Sequence, residues 1–223
     1  MRKIFTWLKW TFIAQMVIFG VVELFTIRSL NLYNQYLKTG TDFAYEEYLS
    51  ANETSNSLGG FAALPLLIGF VLLIVWTNKA YRISSQAPIF QSQRKYTKGW
   101  ATGAWFIPFG NLFVPKRVIS EIERILMPEN SDASQRTKWQ DRDNHVSGTI
   151  WWGLFVTANL ADRIWSSINR SASSDGTLTP SSYQQMMIVG ILSNLATIVS
   201  LYFGIKYLER ITKNAELLES NTL

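Results

Sequence analysis

Cysteine is absent from this 223-residue chain, and histidine occurs once, at position 145. Without thiols there is no disulfide framework, no thiolate metal site and no cysteine nucleophile. A single imidazole excludes a histidine-rich metal centre. His145 lies in the polar stretch Asp141-Arg142-Asp143-Asn144-His145, where a solvated loop is expected. Also missing are a phosphate-cradling glycine loop next to a Lys-Ser/Thr pair and paired carboxylates on one face of a membrane span. The sequence therefore offers no catalytic residue, cofactor site or metal ligand, and the chain is expected not to be an enzyme.

What is present is segregated apolar character. A mean hydropathy of +0.06 hides apolar runs of membrane-crossing length, with most of the charge gathered in the tails and one central segment. Aromatic residues form 14% of the chain, and Trp7, Trp10, Trp76, Trp151 and Trp165 lie at the edges of those runs, where amphipathic rings suit the headgroup layer. The net charge is +5, but the basic residues flank the apolar runs instead of forming a separate basic domain. The expected partners are thus the lipid bilayer and anionic headgroups on its cytoplasmic side, with no nucleic acid. A protein partner or a second copy of the chain stays open.

The runs predict an all-α integral membrane protein with about four transmembrane helices, at 5–27, 58–76, 148–165 and 183–207, in a single membrane domain over 1–223. The first run follows Met1-Arg2-Lys3 and continues for roughly 20 residues, which reads as an uncleaved signal anchor. Residues 28–57 are polar and mildly acidic, with aromatics suited to a short surface helix. The second run carries no charge, and Pro65 is expected to kink it. The last two runs flank a Ser/Thr/Gly/Pro-rich turn at 166–182, which predicts an antiparallel hairpin.

Residues 77–147 form a long insertion holding 11 of the 21 Lys and Arg residues. With three more in the N-terminal tail and first-helix entry and three at the C-terminal end, against three in the alternate loops, the distribution puts both termini and the insertion inside. Within the insertion, residues 99–115 are apolar but broken by two prolines and three glycines, which suits a re-entrant or interfacial element. Residues 116–127 follow as an amphipathic helix, with Val118, Ile119, Ile122, Ile125 and Leu126 on one face and Arg117, Ser120, Glu121 and Arg124 on the other. Pro128 ends it, and an exposed loop is expected up to Val146.

A more specific pattern runs through this region. Trp76-Thr77-Asn78-Lys79-Ala80-Tyr81-Arg82 stands at a helix exit, followed by Tyr96-Thr97-Lys98-Gly99-Trp100-Ala101-Thr102-Gly103-Ala104-Trp105-Phe106-Ile107-Pro108, by Asn111-Leu112 and Pro115, and later by Trp151-Trp152-Gly153. Over roughly residues 58–208 this resembles the bacterial membrane family called domain of unknown function 4328. The resemblance implies a bacterial, multi-span inner-membrane protein and supplies no activity or catalytic residue.

Two groups of candidate residues follow. Gly99, Trp100, Trp105, Pro108, Asn111 and Pro115 make the broken element either a rigid plug docking the insertion to the membrane or the lining of a small pore with Asn111 as polar ligand. The plug is favoured, because the other half of the chain has no matching broken element. Glu23, Asp162 and Arg163 are charges within or beside spans, and pairing of Glu23 with Arg163 or Arg28 near the outer helix ends explains them structurally. Asn159 and Asn194 are expected to hydrogen-bond between helices. A non-enzymatic membrane scaffold or interaction partner ranks first, and a small channel or transporter, or a subunit of one, second.

Overall fold

The structure, a computed structural model, describes residues 1–87, 94–107, 110–127, 143–174 and 179–221, the side chains of residues 165, 168–174 and 221 excepted. Among the described residues every regular element is helical: α1 (Arg2–Thr39), α2 (Asp42–Phe61), α3 (Ala63–Ser84), α4 (Lys98–Gly103), a 3-10 turn (Gly110–Leu112), α5 (Val114–Ile125), α6 (Val146–Ser174) and α7 (Pro180–Asn221). Pro108, the expected exposed loop over 128–142, and residues 175–178 of the expected turn lie outside the described residues.

Among the described residues three helices are long and apolar enough to cross a membrane: α1, the joined α2–α3 segment and α7. They carry exposed apolar side chains, among them Val17 and Leu24 on α1, Leu67 and Val71 on α3, and Leu192 and Val199 on α7. Water would penalise such surfaces, and hydrocarbon would not. The expected third span lies on α6, but Asn159, Asp162 and Arg163 interrupt its apolar run, and α6 is not among the three.

Helix replaces most of the expected loops. α1 continues twelve residues past Ile27 and stops at Gly40, whose φ of +62° is a left-handed C-terminal conformation that glycine adopts without steric cost. Residues 42–61 form a full helix in place of the expected short one. The helix is interrupted at Ala62, three residues before Pro65, with Ala62 itself still in the right-handed helical region, so that the proline occupies the first turn of α3, where its missing N–H breaks no helical bond. α6 likewise extends to Ser174, well into the stretch expected to be a turn.

The chain divides into two compact units. One comprises Met1–Phe12, Leu67–Trp152 and Tyr202–Leu223. Its interior is tied by the buried indole N–H of Trp76 donating to the Thr212 hydroxyl at 3.0 Å. Glycines admit aromatic rings there: a Cβ on Gly204 would come within 2.7 Å of the Trp151 indole nitrogen, and one on Gly148 within 2.5 Å of the Tyr207 ring. At its edge, Arg2 pairs with Glu216 at 3.3 Å.

The other unit comprises Ile13–Leu66 and Gly153–Leu201. Its polar chain segments are held by tyrosines: Tyr33 lies 5.2 Å from Tyr48 and 4.9 Å from Tyr183, ring centre to ring centre, and the Tyr48 hydroxyl donates to that of Tyr183 at 2.5 Å. Gln184 donates to Asn34, and Thr26 meets Ser55 at 2.8 Å. These contacts give the polar residues 28–57 a buried face that their hydropathy does not reveal.

Candidate functional site

The densest polar cluster lies in the first unit, around α5. Pro115 sits in the first turn of this helix, where φ is already helical and no N–H is needed. The apolar residues Val118, Ile119, Ile122 and Ile125 are buried as the spacing predicts. The polar side differs from the expectation. Ser120 and Glu121 are buried together with Glu123, so only part of the expected polar face is solvated.

Each buried polar group on α5 has found a partner. Glu123 accepts the Tyr207 hydroxyl of α7 on one carboxylate oxygen at 2.7 Å and the backbone N–H of His145 on the other at 3.1 Å. Lys116 donates to the Ser120 hydroxyl at 2.8 Å and to the Tyr207 hydroxyl at 3.4 Å, with its ammonium 4.8 Å from the centre of the Tyr207 ring. Burial lowers the Lys116 pKa to about 8, and the nearby Glu123 charge acts in the opposite direction. On the other edge of the apolar arc, Glu121 accepts the backbone N–H of Lys95 at 3.2 Å. Burial raises its carboxyl pKa, while the N–H groups of Lys95 and Tyr96 lower it. Arg124 donates to the Asn144 side chain at 3.0 Å.

The loop segments that meet α5 are fixed in the same way. Arg94 lies 4.6 Å above the Tyr81 ring and donates to Ser84, while the Tyr81 hydroxyl donates to the Tyr96 carbonyl. The His145 side chain is exposed, as expected, but its backbone holds Glu123 and its ring nitrogen lies 2.6 Å from the Ser147 hydroxyl at the start of α6.

The broken element is anchored beside this cluster. Trp105 is buried, edge-on to Phe70 at 5.8 Å and to Trp152 at 6.1 Å, and the Trp152 indole donates to the Leu112 carbonyl at 2.5 Å. Asn78 of α3 donates to Thr102 of α4 at 2.8 Å. Trp100 is partly exposed against Tyr96, Gly99 is exposed and Pro115 is buried. Asn111 is half-buried in the 3-10 turn, its N–H bonded to the Ile107 carbonyl.

The second group of candidates divides. In the other unit, Glu23 and Asn194 meet, the amide donating to the carboxylate at 2.6 Å. The partner of Glu23 is therefore an amide of α7 and not the guanidinium of Arg163 or Arg28, both of which are exposed. Asp162 is exposed too, and Asn159 donates to the Phe155 carbonyl of its own helix instead of bridging to another.

Chemically, a lysine of lowered pKa bonded to a serine is a base beside a hydroxyl, the raw material of nucleophilic catalysis. Here Ser120 is buried and Lys116 is half-buried. A cavity of about 640 Å³ in the same unit includes neither Lys116 nor Ser120 in its lining. Glu123 and Tyr207 did not figure among the sequence candidates. The signal for Glu123 was its position at the edge of the apolar arc of α5, with Glu121 on the opposite edge.

The family described as Domain of unknown function (DUF4328) matches residues 40–213. The chain belongs to the DUF4328 family. The DUF4328 match begins at Gly40, just past the end of α1, and takes in α2 through most of α7, so the α5 cluster, the broken element and Asn194 lie inside it, and Glu23 lies before it. No curated protein and no solved structure matches the chain.

Proposed function

We propose that this DUF4328 protein is a multi-pass protein of the bacterial inner membrane, with four spans and with both termini and residues 77–147 cytoplasmic, and that it serves as a non-enzymatic scaffold. The observation carrying this reading is the inward bonding of α5: Lys116, Ser120, Glu121 and Glu123 all spend their hydrogen bonds on the protein itself. Groups committed in this way fix a shape, which is what a platform for a protein partner or a second copy requires. The basic flanks Lys79, Arg82, Lys98 and Arg117 support the inside placement and an anionic leaflet as neighbour.

Single-cysteine labelling with a membrane-impermeant reagent tests this on a chain with no native cysteine. Positions 40 and 175 should react only from outside, and 135 and 218 only from inside. Positions 104 and 111 should be protected from both sides. Labelling of position 135 from outside would sink the topology, and labelling of position 111 from both sides would replace the scaffold with a pore.

A second reading, a small channel or transporter, draws on different atoms. Gln15 and Ser29 of α1 are buried with no hydrogen-bond partner on their side chains, as is one oxygen of Glu23. Unpartnered polar atoms inside apolar helices are costly, and a water-filled or ion-bearing path would satisfy them.

A further inference from the structure

We propose that the cavity at the C-terminal end of α3 is a binding site for an anionic glycerophospholipid, with the phosphate held by Lys79 and Arg82 and an acyl chain laid along α3. The cavity measures about 640 Å³, and its lining changes character along the helix. Ile4, Ile74, Val75 and Ile83 form apolar wall, while Asn78, Lys79, Arg82 and Thr102 are polar. A soluble anion would have no use for the first set, and a neutral hydrocarbon none for the second.

The sequence of α3 continues this arrangement away from the cavity. Leu67, Val71 and Val75 recur every fourth residue, all exposed, and Lys79 is the next member of that row. An i, i+4 row forms one ridge of a helix, so a chain lying on Leu67, Val71 and Val75 leads its headgroup to Lys79 and, one turn on, to Arg82. Among the described residues neither cation takes part in an ion pair. Asn78 already donates to Thr102, which fixes the polar floor, and the carboxylate of Glu219 at the rim is offset by the Met1 ammonium 4.0 Å away, which leaves Lys79 and Arg82 to the phosphate. A phosphodiester carrying acyl chains matches all three features: an apolar row, a basic end and room for one headgroup.

This deepens the proposed function's anionic-lipid contact by giving it a single site, and it rests on α3 meeting the leaflet at Lys79. The test is native mass spectrometry of the full chain in detergent, titrated with phosphatidylglycerol, with phosphatidylcholine and with inorganic phosphate. We expect one saturable phosphatidylglycerol adduct, little from phosphatidylcholine, and no competition by phosphate. The Lys79→Gln, Arg82→Gln double variant should bind roughly thirty-fold more weakly, since each basic residue near an anionic surface contributes about 1 kcal/mol. Arg28→Gln, a charge removed from an exposed position elsewhere, should bind as the native chain does. Equal binding of the two lipids, displacement by phosphate, or equal losses in Arg28→Gln and the double variant would overturn the site. The lipid and phosphate comparisons use the native chain alone and decide the matter even if the double variant unfolds. The result is independent of topology, which the cysteine labelling reads.

Discussion

Gly148 lies under the ring of Tyr207 so closely that a Cβ added there would meet three ring carbons within 3.0 Å. The ring cannot withdraw freely, because its hydroxyl is bonded to Glu123 and its face carries Lys116. Gly148→Ala is therefore expected to cost about 1–3 kcal/mol, the size of an overpacking strain, and to lower the thermal unfolding midpoint in detergent. Gly153→Ala, five residues along the same helix with nothing within 4 Å of its added Cβ, should show no such loss. Equal loss at both sites would show that the contact with Tyr207 is not its cause, and no loss at Gly148 would show that the ring can move aside.

Lys116 links this cluster to pH. Its folded pKa is held near 8, below the ordinary lysine value of 10.5, chiefly by burial. Between those values the unfolded chain holds a proton that the folded chain has released, so stability rises with pH. The lysine penalty is thus fully present below about pH 8 and is relieved as pH climbs toward 10, where ordinary tyrosines begin to ionise and a second effect enters. Unfolding midpoints taken from pH 7.5 to 9.5 should increase, and Lys116→Met should flatten that slope. A native profile already flat over this window would mean that Lys116 is hydrated in the folded protein.

Much of the fold was legible because bilayer-crossing runs are long and uninterrupted, as in 58–76 and 183–207. The extension of α1 to Thr39 and the whole of α2 were less so, because the burial that sustains them comes from Tyr33, Tyr48 and Tyr183, residues far apart in sequence whose pairing no local pattern reveals. The same reason governs the candidate site. The apolar arc of α5 was readable from its period, but whether the carboxylates on its edges face water depends on His145 and Tyr207, which lie 22 and 84 positions beyond Glu123. Trp105 was singled out from its motif, and its partners Phe70 and Trp152 were supplied by the fold.

The Glu23–Asn194 bond predicts an asymmetric response to mutation. Removing the amide alone, as Asn194→Leu, leaves a buried carboxyl whose other oxygen already has no partner, at a cost of about 1–3 kcal/mol. Removing both polar groups, as Glu23→Leu with Asn194→Leu, should recover part or all of that loss, because no polar atom is then stranded. A double-mutant cycle on unfolding free energies gives the coupling directly. Strict additivity would show that the two side chains do not interact in the membrane-embedded protein.

Trp105 and Phe106 are neighbours with opposite surroundings, and this separates docking of the broken element from general apolar loss. Trp105 is 6% exposed between Phe70 and Trp152, whereas Phe106 is 67% exposed. Trp105→Ala should remove a packed indole and destabilise the first unit by roughly 3–5 kcal/mol, a typical cost for a large aromatic in a core. Its mark should be faster proteolysis within residues 94–127, with the membrane-crossing helices still protected. Phe106→Ala should leave the cleavage rate close to native, unless that ring is itself seated in lipid. In that case the two variants would behave alike in bilayers and differ in detergent, and similar cleavage in both environments would show that Trp105 does not hold the element in place.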